Sequence, residues 1–411
     1  MKLSFTLKQV RTFFFLLALL VVSGGIGYRL GSGQSVVSVT PEKKIVINST
    51  IPSGRTVDFA LFWDVWKRLE QSYIDKKALD TQKMVWGAIS GMVSSLDDPY
   101  TLFLPPKENK EFKDDLGGNL EGIGAQLGLK DKRIVVIAPL KGTPAQRAGI
   151  LPGDYILKVN NTDTVGWTVP EAVTKIRGPK GTKVALTIFH EGATAETELE
   201  IMRDAILIPS VEWDIKTASG SAERVAHLRL SRFGDQTNTE WDKAIKEINT
   251  APNLSGVVLD VRNNPGGYLQ GAVYIASEFI DSGVVVAQEN SDGTQETYSV
   301  TRAGKMLKNP LVVLINKGSA SAAEILAGAL RDHKRAKLVG ENSFGKGSVQ
   351  SPEDLPGGSG LHITTAKWLL PGGEWINGKG IKPEIEVKND VQDPTRDLQL
   401  EKAIEDLVVS R

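Results

Sequence analysis

Residues 311–330 read L-V-V-L-I-N-K-G-S-A-S-A-A-E-I-L-A-G-A-L. Five apolar residues, Leu311–Ile315, make a buried strand. A small-residue loop, N-K-G-S-A-S, follows, and a helix runs from Ala322 to Arg331. The same grammar occurs twice more. Gly256–Val261 is an apolar strand running into R-N-N-P-G-G and a helix from Leu269 to Phe279, and Lys337–Gly340 runs into the glycine-rich E-N-S-F-G-K-G. Strands alternating with helices define an α/β protein with a parallel sheet, and such sheets carry their sites beyond the carboxyl ends of the strands. Gly266/Gly267, Ser321 and Lys346 are therefore expected to meet on one edge.

A serine at a helix start is a cap by default, and both Ser319 and Ser321 have that option. It becomes a nucleophile only with a base beside it, and lysine serves where histidine is absent. Lys346 follows Ser321 by 25 residues, within F-G-K-G-S-V-Q. To act it must be neutral, and since a lysine amine ordinarily titrates near 10.4, burial against apolar walls is required. An extended Lys346–Gln350 segment would put Lys346, Ser348 and Gln350 on one face, where Gln350 orients the amine without adding charge. The Ala322 N–H at the helix start, with a glycine N–H from Gly267 or Gly266, would form an oxyanion hole.

Rival chemistries fit less well. G-E-N-S-F-G-K-G from Gly340 nearly matches a phosphate-binding loop, but Gly347 stands where the metal-binding hydroxyl belongs. His190, His227, His333 and His362 are scattered, and none follows an obvious site loop, so a Ser-His-Asp triad is disfavoured. With no cysteine there is no disulfide and no thiol nucleophile, and no metal or other cofactor is expected. Equal numbers of basic and acidic residues, 49 each, give no argument for nucleic acid.

At 411 residues the chain should hold two to three domains. Lys2, Lys8 and Arg11 precede an apolar run, Phe13 to Val22. That is a signal peptide or, lacking a clean A-x-A site, an uncleaved membrane anchor over residues 10–28. Either one places the rest outside the cytoplasm, periplasmic or at the cell surface. Residues 31–55 read as a linker. Over 56–112, Phe59, Phe62, Trp63, Trp66, Leu69 and Tyr73 recur at helical spacing, as do Met84 to Leu96, and such aromatic faces are expected to be core. Residues 115–204 hold short strands and a helix from Pro170 to Ile176, opened by Gly122-Ile123-Gly124-Ala125. The catalytic core spans 205–390, and 391–411 is a charged helical tail.

The 115–204 segment resembles a PDZ domain, carried by E-G-I-G-A and by T-P-A-Q-R-A-G-I-L-P-G-D from Thr143. This implies that Gly122, Ile123, Gly124 and Ala125 receive a peptide's terminal carboxylate. With S-L-D-D-P-Y-T (95–101), L-D-V-R-N-N-P-G-G-Y-L, G-S-A-S-A-A-E-I-L-A-G-A-L and F-G-K-G-S-V-Q, residues 57–388 resemble the carboxy-terminal processing (tail-specific) peptidases of family S41. The resemblance implies a crotonase/ClpP-like core with an inserted PDZ domain. It assigns Ser321 as nucleophile, Lys346 as general base, Gln350 as the residue positioning it, and Ala322 and Gly267 as oxyanion donors. Ala323 departs from the family, which usually has a second serine there. The implied partners are proteins with apolar carboxy-terminal tails, and a homo-oligomer is admitted. From another class, a PDZ adaptor that binds tails without cutting would have no use for a neutral lysine. An acyl-CoA enzyme of the crotonase type would need neither secretion nor a PDZ unit, and turnover of small esters alone would mark an esterase.

Overall fold

The computed structural model describes residues 58–140, 142–190, 193–218, 222–389 and 396–409. The expected anchor and the linker lie outside them. Among the described residues no helix is long and apolar enough to cross a membrane. The chain divides into two compact units, residues 1–81 and 82–411.

In the first unit, helix α1 (Ala60–Ser72) carries the aromatic run. Phe62 meets Trp63 edge-on, with ring centroids 5.0 Å apart, and Trp66 Nε1 donates to Glu70 Oε1 at 2.8 Å. Yet α1 buries no residue, and Trp63 stays 45% exposed. The expectation of a core face is corrected here: the rings pack on one another along one helix, and nothing described in this unit covers them.

The second unit begins with most of helix α2 (Thr81–Ser94), whose Val93 is buried while Met92 is exposed. Strand β1 (Leu102–Leu104), helix α3 (Pro106–Gly117) and strand β2 (Asn119–Gly122) follow. A small antiparallel sheet comes next: β3 (Ala125–Lys130), β4 (Arg133–Pro139), β5 (Tyr155–Val159), β6 (Thr162–Asp163), β7 (Lys183–Phe189) and β8 (Thr197–Met202). It packs with helices α4 (Pro144–Arg147) and α5 (Val169–Ile176) around Ile134, Ile156, Val184 and Ile188. Strand β9 (Asp204–Leu207) returns antiparallel to β2, so a two-stranded ribbon links this sheet to the rest of the chain.

The central sheet orders β10 (Val211–Thr217), β11 (Arg224–Leu230), β12 (Leu254–Asp260), β15 (Leu311–Ile315), β16 (Lys337–Gly340) and β19 (Ile385–Glu386). All pairs from β11 onward are parallel. Because side chains alternate along a strand, Val257, Leu259 and Val313 face the core formed with α6 (Thr237–Thr250), α7 (Leu269–Phe279) and α8 (Ala322–Asp332). Val258, Val312 and Leu314 face the other way, onto α9 (Leu398–Val409). Both faces are covered, which is why β12 and β15 read as continuous apolar runs. A second sheet pairs β18 (Gly360–Leu369) with β13 (Val284–Asn290), β17 (Ser348–Asp354) and β1, and β14 (Gln295–Ser299) joins β13. This α/β multidomain architecture is the one the strand–loop–helix pattern predicts.

Candidate active site

Three loops leave the carboxyl ends of β12, β15 and β16 and are stitched to one another. Asn263 N–H donates to Asn316 Oδ1 at 2.9 Å, and Asn316 Nδ2 returns a bond to Asn263 Oδ1 at 3.0 Å. Ala320 N–H reaches Asn264 O at 2.9 Å, and Phe344 N–H reaches Ser319 O at 2.9 Å. The first loop is anchored from behind, because Arg262 spans Asp260 and Asp397, both at 2.7 Å. Burial works against charge on Asp260, but His227 and Arg262 outweigh it and hold the carboxyl well below the usual range.

The two serines of the second loop do different jobs. Ser319 is fully buried; its hydroxyl donates to Val261 O at 2.8 Å and accepts from Asn316 N–H at 3.0 Å. Ser321 is only half-buried and sits at φ 55°, ψ −118°. That conformation costs a non-glycine residue about 1–3 kcal/mol and is the kind of strain found where a nucleophile is presented on a sharp strand-to-helix turn.

The glycine pair is sorted by its partners. Gly266 N–H donates to Asn264 Oδ1 at 2.9 Å, while Asn264 Nδ2 binds Leu230 O at 2.8 Å. Gly267, at φ 133°, lies so close to Phe233 that a Cβ would stand 2.0 Å from its carbonyl oxygen. Among the described residues, the N–H groups of Gly267 and Ala322 have no acceptor.

Glu324 was not singled out from the sequence, though it is the fourth residue of S-A-A-E, a capping-box pattern opening at Ser321. Its carboxylate is fully buried. Oε2 accepts Ser321 N–H at 2.8 Å and Lys346 N–H at 3.0 Å. Oε1 accepts Ser343 Oγ–H at 2.5 Å and Gly345 N–H at 2.6 Å. One side chain thus fixes the backbone of both Ser321 and Lys346.

The lysine side chain is held less tightly. Burial lowers the Lys346 pKa from its ordinary value, with Asp98 and Glu324 pulling the other way. Its Nζ lies 5.1 Å from the centre of the Tyr100 ring. Among the described residues no hydrogen bond joins Nζ to Ser321 or Gln350. Gln350 shares a face with Ser348, as alternation requires, but its Nε2 donates to Ser348 Oγ at 2.9 Å and Thr364 Oγ1 at 3.1 Å. An irregularity in the β17–β18 register falls between Val349 and Gln350. Beside the lysine opens a cleft of about 850 Å³ lined in part by Tyr100, Phe344, Gly345, Ser348 and Trp375.

Far along the chain, Gly122 ends β2 and Ala125 begins β3. Ile123 O accepts Ala145 N–H at 2.8 Å, and Gly124 O accepts Leu140 N–H at 2.8 Å. Gly124 has φ 74° and would drive a Cβ to 2.5 Å from Thr143. The N–H groups of Ile123 and Gly124 have no acceptor among the described residues.

Comparison with known proteins follows this division. The pattern of Peptidase family S41 matches residues 224–387, the PDZ domain matches 109–189, and the activating protease CtpB N-terminal domain matches 21–107. Carboxy-terminal processing protease CtpA of Bacillus subtilis (strain 168) is 36% identical over 382 residues, covering 93% of this chain and 78% of that protein. CtpB of the same organism is 37% identical over 326 residues, 79% of this chain and 66% of that protein. The photosystem II D1 C-terminal processing protease superposes with a TM-score of 0.50 at 30% identity, covering 84% of this chain and 96% of that one. A putative S41 protease from Bacteroides fragilis shares the fold, with a TM-score of 0.56 at 17% identity over 84% of this chain and 97% of that one. The chain belongs to the carboxy-terminal processing proteases of peptidase family S41. It is a serine peptidase with a PDZ domain.

Proposed function

We propose that Ser321 is the nucleophile and Lys346 the general base in cleavage of proteins near apolar carboxy-terminal tails. Ser321 Oγ attacks the scissile carbonyl carbon as its proton passes to neutral Lys346. The tetrahedral oxyanion is received by the N–H groups of Ala322 and Gly267. Collapse breaks the C–N bond, Lys346 hands the proton to the leaving amine, and the acyl-enzyme remains. Water, deprotonated by Lys346, then attacks the acyl carbon. Collapse breaks the bond to Ser321 Oγ, Lys346 returns the proton to Oγ, and the new carboxyl group leaves. Gln350 positions the amine once substrate has entered.

The observation carrying this reading is the Glu324 carboxylate, whose Oε2 accepts from both Ser321 N–H and Lys346 N–H. A shared backbone anchor supports one constellation for the two residues, and the N–H groups of Ala322 and Gly267, without an acceptor among the described residues, suit a developing oxyanion. The PDZ loop at Gly122, Ile123, Gly124 and Ala125 would hold the tail's terminal carboxylate, supported by the N–H groups of Ile123 and Gly124, which have no acceptor among the described residues. Residues 10–28 would anchor the enzyme on the outer side of a membrane. The exposed aromatic face of α1 supports association with a second copy.

The test is degradation of a loosely folded protein with an apolar tail. The parent should cut it, whereas Ser321→Ala and Lys346→Ala should bind it and cut about 10⁴-fold more slowly or worse. Equal cutting by both variants would remove the assignment, and binding without cutting in all three would favour an adaptor.

A further inference from the structure

Gly345 and Ser348, on either side of Lys346 in the chain, line the adjoining cleft. Tyr100 lines it too. The phenol ring thus borders the cleft and reaches the amine, whose nitrogen lies 5.1 Å from the ring centre.

The ring is brought there by a rigid turn. Asp98 Oδ1 accepts Tyr100 N–H at 3.0 Å, and Oδ2 accepts the Thr101 hydroxyl at 2.6 Å. Thr101 Oγ1 in turn accepts Thr364 N–H at 3.0 Å, and β1 continues the pairing with Leu102 opposite His362. Burial acts against charge on Asp98, yet bonds from Thr101 and Thr364 and from the turn N–H groups outweigh it, so the carboxyl stays ionised and the turn stays closed.

We propose that Tyr100 is a positioning residue for the reaction: its ring seals the Lys346 amine from the water of the cleft and keeps it in place facing the site. This rests on reading Lys346 as the general base. Lys346 faces Asp98 on the Tyr100 turn and Glu324 from α8, and its charge acts on His362 from β18, beside which stand Asp354 and Lys113. Burial, with Asp98 and Glu324, raises the Tyr100 phenol pKa. The two carboxylates favour the ammonium, so exclusion of water must oppose them. Attraction of an ammonium to a ring face is modest, whereas loss of hydration disfavours the charge strongly. Sealing therefore outweighs the ring's own pull on the cation.

The experiment is the pH dependence of kcat/KM in the full chain for Tyr100→Ala, Tyr100→Phe and Tyr100→Leu, with Lys346→Ala alongside. Opening the seal lets water reach the amine. Tyr100→Ala should lower kcat/KM at neutral pH by about tenfold or more and displace the acid limb upward, so that activity returns as pH rises. Tyr100→Phe and Tyr100→Leu keep an apolar wall and should keep the limb. If Tyr100→Ala does not fold, Tyr100→Gln admits water to the same place and takes over the test. An acid limb unmoved in Tyr100→Ala or Tyr100→Gln overturns the proposal while leaving the base assignment intact. A limb that moves as far in Tyr100→Leu as in Tyr100→Ala overturns it too, since the ring's electronics rather than its bulk would then matter. Full activity in Lys346→Ala would remove the base reading itself, and the inference with it.

Discussion

The loop carrying Ser321 and the loop carrying Lys346 are built to different standards. Around Ser321, hydrogen bonds from Ser319, Asn316, Asn264 and Glu324 fix loop backbone, and α8 behind it is buried from Ala322 to Leu330. Around Lys346 the backbone is fixed just as firmly through Glu324, but the side chain ends against a ring face, with no hydrogen bond among the described residues. The difference teaches that this site is preorganised in its main chain and adjustable at one amine. On the proposed mechanism, a fixed oxyanion geometry needs the first, and a base that gains and loses a proton each cycle tolerates the second.

Ranked by expected effect on unfolding, Glu324→Ala comes first. It orphans four donors, two of them buried, and loosens both loops at once, and should cost about 3–5 kcal/mol in denaturant titrations. A loss below about 1 kcal/mol would mean the two loops hold their shape independently. Asn264→Ala leaves Gly266 N–H and Leu230 O unpaired and should cost about 1–3 kcal/mol, with a fall in kcat larger than any rise in KM. Ser319→Ala removes a hydroxyl from the same side and should cost about 1 kcal/mol; retention of full kcat would show that the Ser321 loop has slack.

Lys346→Met is expected to go the other way. Burial depresses the folded-state pKa, while Asp98 and Glu324 partly restore it. The unfolded chain therefore binds this proton more tightly than the folded one. The penalty is fully present below the folded value and fades as pH rises toward the ordinary lysine range near 10.4. Lys346→Met should abolish cleavage yet melt slightly higher than the parent at neutral pH, with the gain shrinking in alkali. A lower melting temperature at neutral pH would show that the amine is better accommodated than its burial implies.

Much of the parallel core was legible because both faces of the sheet are covered: Leu311–Ile315 and Lys337–Gly340 are the strands observed, and Leu269–Phe279 is the helix observed. Gly256–Val261 emerges as Leu254–Asp260, a shift of the kind strand ends allow, since Val261 N–H still bonds Leu314 O at 3.1 Å. The meeting of the three loops followed from the topology. Glu324 was hidden by its ordinariness, as a glutamate in the first helical turn is a common cap and only the fold shows it buried. Tyr100 was hidden by distance along the chain. The aromatic run of α1 misled because periodicity reports that a face wants a partner without saying where the partner is.

Thr364 N–H reaches Thr101 Oγ1 across 263 residues of sequence. Contacts so remote form late, because a long loop must close before they stabilise anything. During synthesis the Tyr100 turn is made early and waits for a strand from near the far end of the chain. On the proposed reading the general base is held in place only once β18 has paired, so the chain stays harmless while that strand is still unmade.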